Sequence, residues 1–498
     1  MVVNYHLRVN YIYYYQAMKK VMKSIFALLV LVIAGSASVF WYMNRIPPQL
    51  KEPNYYTYYK NQDMKIEGRV GIFISHLIMP EDMAPNDFHN LAMKTKQYIP
   101  WPFKLLFDDD NGVLLLDEEK FYEFEEFVPT KLVDAHGNDT DIDGIPYIVK
   151  YEKGLVSWVP PSESLHLTHG YFLLHERKMG MPTVSTKLIN KANLYYYSGK
   201  GIAGGKIPHE SGNYEIASKT IEKIHQKYGL IPWRWVTAED FGLARAKMRS
   251  LLDEGVDTVI LAPPRPTYSH HEEFNGSFKH AFEYIHEWEE EKSKDIKVIL
   301  LPQLSEFPVI RQAYLGMLKD RLDTFPENSS VKLVVSVHGM AWDLVPNEAW
   351  IELSPMYTEP MMEDVTKLAK NYNFGTVEVV QSQDHFADPY YNPDGKYLST
   401  NRAFLEGIED DFDYVVNLPI EFFVENTDTM FSHAMFNFEG FEDFDRYETI
   451  NYTDWSIPYT KEFLIDGTHV VYNGLPVGKY NQPIVEAFYQ ALDSILSQ

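Results

Sequence analysis

The sequence predicts an α/β protein of two halves, each a parallel sheet flanked by helices. Three observations carry that reading. Val331, Leu333, Val334, Val335 and Val337 crowd one short run that ends in His338-Gly339, the composition of a strand buried on both faces followed by a sharp break. Tyr414-Val-Val-Asn-Leu-Pro-Ile420 repeats the design and runs into Glu421-Phe-Phe-Val-Glu425-Asn426-Thr-Asp428-Thr429-Met430. Between and around them, apolar runs alternate with helical periodicity, and strand–helix alternation at this spacing builds parallel sheets.

Length and composition bound the answer. The chain has 498 residues, with 45% hydrophobic and 15% aromatic content, enough for more than one core. Its 45 Lys and Arg against 70 Asp and Glu give a formal charge of -25, which excludes a nucleic-acid backbone as the expected partner. There is no cysteine, so disulfides, thiolate-held iron–sulfur clusters and Cys-based zinc sites are excluded.

In chain order, residues 1–24 form a tail and 25–43 an uncharged apolar run, just long enough to cross a bilayer at about 20 residues. Lys19, Lys20 and Lys23 precede it, so the expectation is a transmembrane anchor with the body outside the cytoplasm, on the periplasmic or extracellular side. The alternative is a signal peptide beginning near Met18 or Met22 and cleaved after Ala37. Residues 44–68, rich in Pro, Tyr, Asn and Lys, read as a tether. A first half follows over 69–295, opening on strand 69–75. It is interrupted at about 108–164 by an irregular acidic insertion, whose Asp-rich 136–144 run loosely resembles a calcium loop and lacks its closing Glu.

Helices are expected at 214–228, 238–254 and 277–291, with strands at 233–236 and 258–262. The pattern restarts near 296, with strands at 297–301, 331–338, 376–381 and 414–419 and helices at 307–325, 360–372, 400–408 and 482–496. The second half is therefore placed at 296–498. In open α/β sheets, ligands sit beyond the carboxyl ends of the strands. That puts the imidazole of His338 and the carboxylates of Glu425 and Asp428 on two strand ends able to face one cleft. His270-His271-Glu272-Glu273 reads as a solvated loop, with a further metal contact as its sharper reading. The Gly-rich stretch 199–205 lacks phosphate-loop spacing and reads as close packing.

On these elements the chain resembles the ferrochelatase family. Val70-Gly-Ile-Phe-Ile-Ser with Met79-Pro80-Glu81 is similar to the family's opening strand and loop. Tyr197 with Gly201-Ile-Ala-Gly204-Gly205-Lys-Ile-Pro208 is similar to its Tyr-x-x-Ile-Gly-Gly-Gly-Ser-Pro. Arg234-Trp235 stands where the family has Arg-Tyr, and Pro264-Arg-Pro-Thr-Tyr268-Ser269 resembles Tyr-Pro-Gln-Tyr-Ser. Ser336-Val-His338-Gly339 resembles Ser-Ala-His-Gly/Ser. Pro419-Ile420-x-Phe422-x-x-Glu425-Asn426-x-Asp428-Thr429 mirrors Pro-Ile-x-Phe-x-Ser-Asp/Glu-His-x-Glu-Thr, and Tyr472-Asn473-Gly474-Leu475-Pro476 matches Leu-Asn-Gly-x-Pro.

The resemblance implies a chelatase-like fold of two Rossmann-like halves with four-stranded parallel sheets, here a divergent, membrane-anchored member. It implies a lyase inserting a divalent metal, Fe2+ first, into a porphyrin. His338, Asp428 and Glu425 become catalytic residues, His338 and Asp428 metal contacts, and Arg234, Trp235, Tyr268 and Tyr197 substrate contacts. No tightly bound cofactor is expected; the tetrapyrrole and the metal are substrates. A neutral imidazole suits the pyrrole protons, and hard carboxylates suit an ion that must bind and leave. The chain departs from the family at Asp428 for Glu, Asn426 for His, and His76-Leu-Ile for Asn-x-Gly. Those changes keep a second function class open, a non-catalytic haem, porphyrin or metal carrier, and a third, chelation of cobalt or nickel.

Overall fold

The structure, a computed structural model, describes residues 55–76, 208–237, 241–338, 350–384, 398–426 and 456–498. It also describes Lys23, Gly35, Ser36, Thr429, Asn437 and the backbone of five strands between 115 and 174. The protein is α/β, with parallel sheets flanked by helices. In chain order the elements are α1 (Tyr55–Asn61), β1 (Val70–His76), the five strands β2 (Leu115–Asp117), β3 (Pro129–Val133), β4 (Ile148–Tyr151), β5 (Gly154–Val159) and β6 (Tyr171–Leu174), then α2 (His209–Tyr228), β7 (Trp233–Thr237), α3 (Phe241–Leu252) and β8 (Thr258–Leu261). After a wide π-type turn over His270–Ser277 come α4 (Phe278–Lys292), β9 (Lys297–Leu300), α5 (Arg311–Leu322), β10 (Ser330–His338), α6 (Trp350–Ala369), β11 (Thr376–Asp384), α7 (Thr400–Glu409), β12 (Tyr414–Pro419), β13 (Lys461–Ile465), β14 (Thr468–Tyr472) and α8 (Gln482–Leu496).

Two parallel sheets organise the body. The first runs β7-β1-β8-β9 and the second β11-β10-β12-β14-β13, with only β13 antiparallel. In the first sheet residues alternate strictly between two cores, as a period of two requires. Ile72, Ile74, Ile260 and Ile299 join a core that continues through α2, α5, α6 and α8 into the second sheet. Phe73, Val259, Leu261 and Leu300 face a separate core with α3, α4 and Tyr56 of α1. In the second sheet, Val331, Leu333, Val335 and Val337 of β10 enter the shared core. The opposite face of β10 carries Lys332, Val334, Ser336 and His338, all buried. One face is oil; the other is polar and dry. Helix α8 lays the stripe Ile484, Phe488, Ala491 and Ile495 into the shared core, and Asp493 takes Lys227 of α2 at 2.6 Å, tying the halves together.

Several expectations need correction. The strand over 297–300, taken to open the second half, pairs with β8 and is the fourth strand of the first sheet. The second sheet has five strands, not four. Its extra hairpin β13–β14 turns on Asp466-Gly467, both with left-handed backbone (φ 52° and 92°), which is the signature of a tight two-residue turn. The insertion is not irregular: the five strands between 115 and 174 form an antiparallel sheet ordered β2-β6-β5-β4-β3.

The tether contains α1, whose Tyr55 stacks on Phe282, while Tyr56 packs at a tilt against Phe274 and Tyr59 stands edge-on to Tyr268. Just beyond α1, the amide of Gln62 bonds both Leu300 O (2.8 Å) and Leu300 N (2.7 Å), standing in for a strand along the β9 edge. Helix α6 starts ten residues before Pro360, so that proline and Pro355 lie inside it. Among the described residues no helix is long and apolar enough to cross a membrane. The 25–43 run lies outside them apart from Gly35 and Ser36.

Candidate functional site

Both sheets end an interior strand in histidine. His76 closes β1 and His338 closes β10, each almost without solvent exposure. The turn after β8 brings Arg265 inward, and the chain leaving β12 brings Glu421 and Phe422. Arg265 Nη2 meets Glu421 Oε1 at 2.8 Å, and its Nη1 meets Glu273 Oε1 at 3.3 Å, with all three side chains buried. Glu273 in turn lies 3.8 Å from His76 Nδ1 and accepts the Ser269 N–H at 2.8 Å. The Phe422 ring stands edge-on to His338 (5.9 Å between ring centres) and to His209 (6.4 Å), the first residue of α2. The carboxyl ends of both sheets thus meet at one buried, charged seam.

The electrostatics follow from burial. Glu421 is pushed up to about 8 by desolvation, which outweighs the opposing Arg265 and the backbone N–H of His338. For Arg265, burial alone would lower the guanidinium, but Glu273 and Glu421 win and the net direction is upward. His209 is driven down to about 3, by burial first and Arg265 second, and is therefore neutral at pH 7.

Two further buried carboxyls lie at the carboxyl end of the second sheet. Asp384 is the register partner of His338 on β11. It accepts from Ser336 Oγ (2.8 Å), Thr400 Oγ1 (2.5 Å) and Asn437 Nδ2 (2.9 Å), and burial raises it to about 6 against those donors. Glu425 accepts the Leu475 N–H (2.8 Å) and the Thr429 hydroxyl (2.6 Å), and burial raises it to about 7. The neighbouring Gly474, with φ +73°, lies tight against the Tyr459 backbone, where a Cβ would stand 1.9 Å from Tyr459 O. Asn426 Oδ1 accepts the Thr429 N–H (2.9 Å) while Thr429 Oγ1 accepts the Asn426 N–H (3.0 Å), a reciprocal cap on the turn.

The residues expected at the site are not all brought together. His338 and Glu425 lie at the carboxyl end of the second sheet, although Glu425 is wholly buried and already engaged. Arg234 points to the α3 side of the first sheet, where it ion-pairs with Glu254 and donates to Ser250 Oγ at 2.7 Å. Period-two alternation turns its neighbour Trp235 to the other face, buried beside Tyr214 (5.7 Å), and the Trp235 indole N–H has no partner among the described residues. Tyr268 is a core residue donating to Leu301 O at 2.8 Å.

Asp428, Tyr197, the 136–144 run and the 199–205 loop lie outside the described residues, as do the side chains of His270, His271 and Glu272. Among the described residues no three of His, Asp and Glu are arranged to hold a metal ion. Sequence reasoning passed over Arg265, Glu421 and Asp384, and it read Glu273 as part of a solvated loop, whereas its carboxylate is fully buried against Arg265. A signal existed for two of them: Arg265 sits among Pro263, Pro264 and Pro266, and Glu421 between Leu-Pro-Ile and Phe-Phe-Val, single charges in otherwise apolar strand-end turns.

By sequence, no family model and no curated protein matches the chain. Solved structures give only loose likenesses. SirB from Bacillus subtilis with Fe3+ is 12% identical with a TM-score of 0.32, over 56% of this chain and 88% of that one. The Cra transcriptional dual regulator from Pseudomonas putida, in complex with fructose 1-phosphate, is 12% identical with a TM-score of 0.25, over 60% and 91%. An ABC transporter solute-binding protein from Burkholderia graminis, in complex with D-arabinose, is 10% identical with a TM-score of 0.23, over 57% and 86%. Superpositions this loose assign neither function nor ligand to the chain.

Proposed function

We propose that this chain is a divergent, membrane-anchored chelatase-fold protein that binds a tetrapyrrole and inserts a divalent metal, Fe2+ first, acting as a lyase outside the cytoplasm. The observation that carries the reading is His338 at the carboxyl end of β10, against Phe422 and flanked by Asp384 and Glu421, where the two sheets converge. In this mechanism the two pyrrole protons displaced by the divalent metal leave one after the other through the His338 imidazole to solvent. Asp428 contacts the passing metal, a role carried over from the ferrochelatase resemblance. Glu425 is held by the Leu475 N–H and the Thr429 hydroxyl, and its catalytic role is likewise carried over from the resemblance. Trp235, whose N–H has no partner among the described residues, is a substrate contact, and Tyr197 is another by resemblance.

A specific observation favours a second reading, a non-catalytic porphyrin or metal carrier. Asn426 stands where the family has His, and its side chain is engaged in a cap rather than turned to a ligand. Titrating purified protein with protoporphyrin, with and without Fe2+, Zn2+ and Co2+, separates the two. The chelatase reading expects a bound macrocycle and metal-dependent loss of free-base fluorescence with turnover. Binding without metallation leaves the carrier, and no porphyrin binding ends both. The location is tested by protease: the body is expected to be digested from the outer side of intact spheroplasts, and full protection reverses the orientation.

A further inference from the structure

Arg265 is the one guanidinium among the described residues that touches carboxylates belonging to both sheet ends. Through Glu273 it reaches His76, the terminal residue of β1 (3.3 Å, then 3.8 Å). Through Glu421 (2.8 Å) it reaches the backbone N–H of His338, the terminal residue of β10. Its guanidinium also stands 5.8 Å from the centre of the Phe422 ring, whose edge faces His338. A fork of five donors in one plane suits such bridging, because two carboxylates can be held at a fixed angle.

The surroundings leave the bridge little freedom. Tyr314 donates to Phe422 O at 2.8 Å, fixing the backbone beside Glu421. The first turn of α2 is pressed on the next residues: a Cβ on Gly212 would stand 2.6 Å from Val424 Cγ1. Glu421 Oε2 is buried with no hydrogen-bond partner among the described residues, so Arg265 and the backbone N–H of His338 set where the carboxylate lies.

We propose that Arg265 is a positioning residue that ties the two strand-end histidines, His76 and His338, to one another through Glu273 and Glu421. It belongs to the first half yet fixes the geometry of the second. The activity arm of the test rests on the chelatase reading; the spectroscopic arm does not. A misplacement on the order of 1 Å at a reacting group costs up to ~10²-fold in rate, so a small shift of the His338 strand end is readable in turnover.

The test uses the full chain with 13C-labelled histidine ring carbons, in the parent and in Arg265→Lys, Arg265→Gln and Glu421→Gln. Arg265→Lys keeps the charge and loses the fork. It is expected to move the ring signals of both His76 and His338 while the exposed His286 and His469 signals stay in place. Glu421→Gln breaks only one arm and is expected to move His338 and leave His76. With protoporphyrin and Zn2+, both variants are expected to lower kcat about tenfold with KM within about twofold. If Arg265→Gln fails to fold, Arg265→Lys and Glu421→Gln still decide. Unmoved His338 signals in folded Arg265→Lys and Glu421→Gln overturn the proposal, as does a shift spread evenly over all histidines. A parent that inserts no metal removes the chelatase reading, and the histidine signals then judge the positioning role alone.

Discussion

The two halves end an interior strand in the same residue and surround it differently. In the first half, His76 faces Glu273, and that carboxylate is also bound by a buried guanidinium, so acid and base neutralise one another locally. In the second half, the backbone N–H of His338 donates to Glu421, and Asp384 is its register partner on β11. Burial raises these two carboxyls to about 6 at Asp384 and about 8 at Glu421. The first arrangement is a closed ion-pair network suited to holding shape. The second keeps protonatable groups near neutrality around an imidazole, which is where a proton acceptor is useful. A shared strand order therefore carries two electrostatic environments, and the difference lies in which strand-end turn supplies the cation.

The largest expected effect breaks that comparison directly. Under the proposed reaction, His338→Ala should lower metal insertion by about 10²-fold or more while the protein stays folded, since general-base groups contribute 10²–10⁴. His76→Ala should instead lower thermal stability, by stranding part of the Glu273 network, and leave turnover within about tenfold. Zinc insertion assayed with melting curves on both variants decides it; equal turnover losses would erase the functional asymmetry between the halves.

Next in size is the cation itself. Removing one member of a buried ion pair leaves an uncompensated charge and typically costs about 3–5 kcal/mol. Arg265→Ala should therefore cost that much in denaturant unfolding. Arg265→Ala combined with Glu273→Gln should recover part of the loss, because the buried carboxylate left without its guanidinium is then replaced by a neutral amide.

The second half also predicts a pH signature. Asp384 has a folded value near 6 against 3.8 in the unfolded chain. Its native form holds the proton longer, so the stability it favours is complete below about pH 4 and is lost as pH rises through 6. A rise from 3.8 to about 6 corresponds to about 3 kcal/mol. His209 works with the opposite sign: driven down to about 3, it favours the fold above pH 6.5 and withdraws support as pH falls below that. Asp384→Asn should flatten the decline between pH 4 and 6 and leave the acid limb unchanged, as read from urea midpoints across that range.

What the sequence made legible follows from range. The strands 331–338 and 414–419 and the helix 482–496 announced themselves, because buried strands are continuous apolar runs and α8 keeps a clean helical stripe. The histidine at a strand end was legible for the same reason. Helix α1 was not, since seven residues rich in tyrosine have no period of their own and are fixed by Phe274, Phe282 and Tyr268 more than two hundred residues away. The hairpin at Asp466-Gly467 was readable and passed over. The Arg265–Glu421 pair was beyond local reading: each charge is odd in its own turn, and only the meeting of two sheets explains both.

The smallest expected effect concerns Arg234, where resemblance and geometry diverge. Resemblance makes it an anchor for the substrate. Strand alternation in β7 puts it on the same face as Phe73, the α3 side, while Trp235 faces the core shared by both halves. Its guanidinium is occupied by Glu254 and Ser250 at a half-exposed surface, and exposed ion pairs contribute about 0.2–1 kcal/mol. Arg234→Ala should accordingly lower stability by no more than about 1 kcal/mol and leave porphyrin affinity within about twofold. Trp235→Leu, one residue along and on the opposite face, should weaken porphyrin binding clearly more. Fluorescence titration of the two variants side by side tests the register of β7 as much as the ligand. A tenfold loss of affinity in Arg234→Ala with Trp235→Leu unaffected would put the ligand on the α3 face and move the site away from the seam where the two strand-end histidines meet.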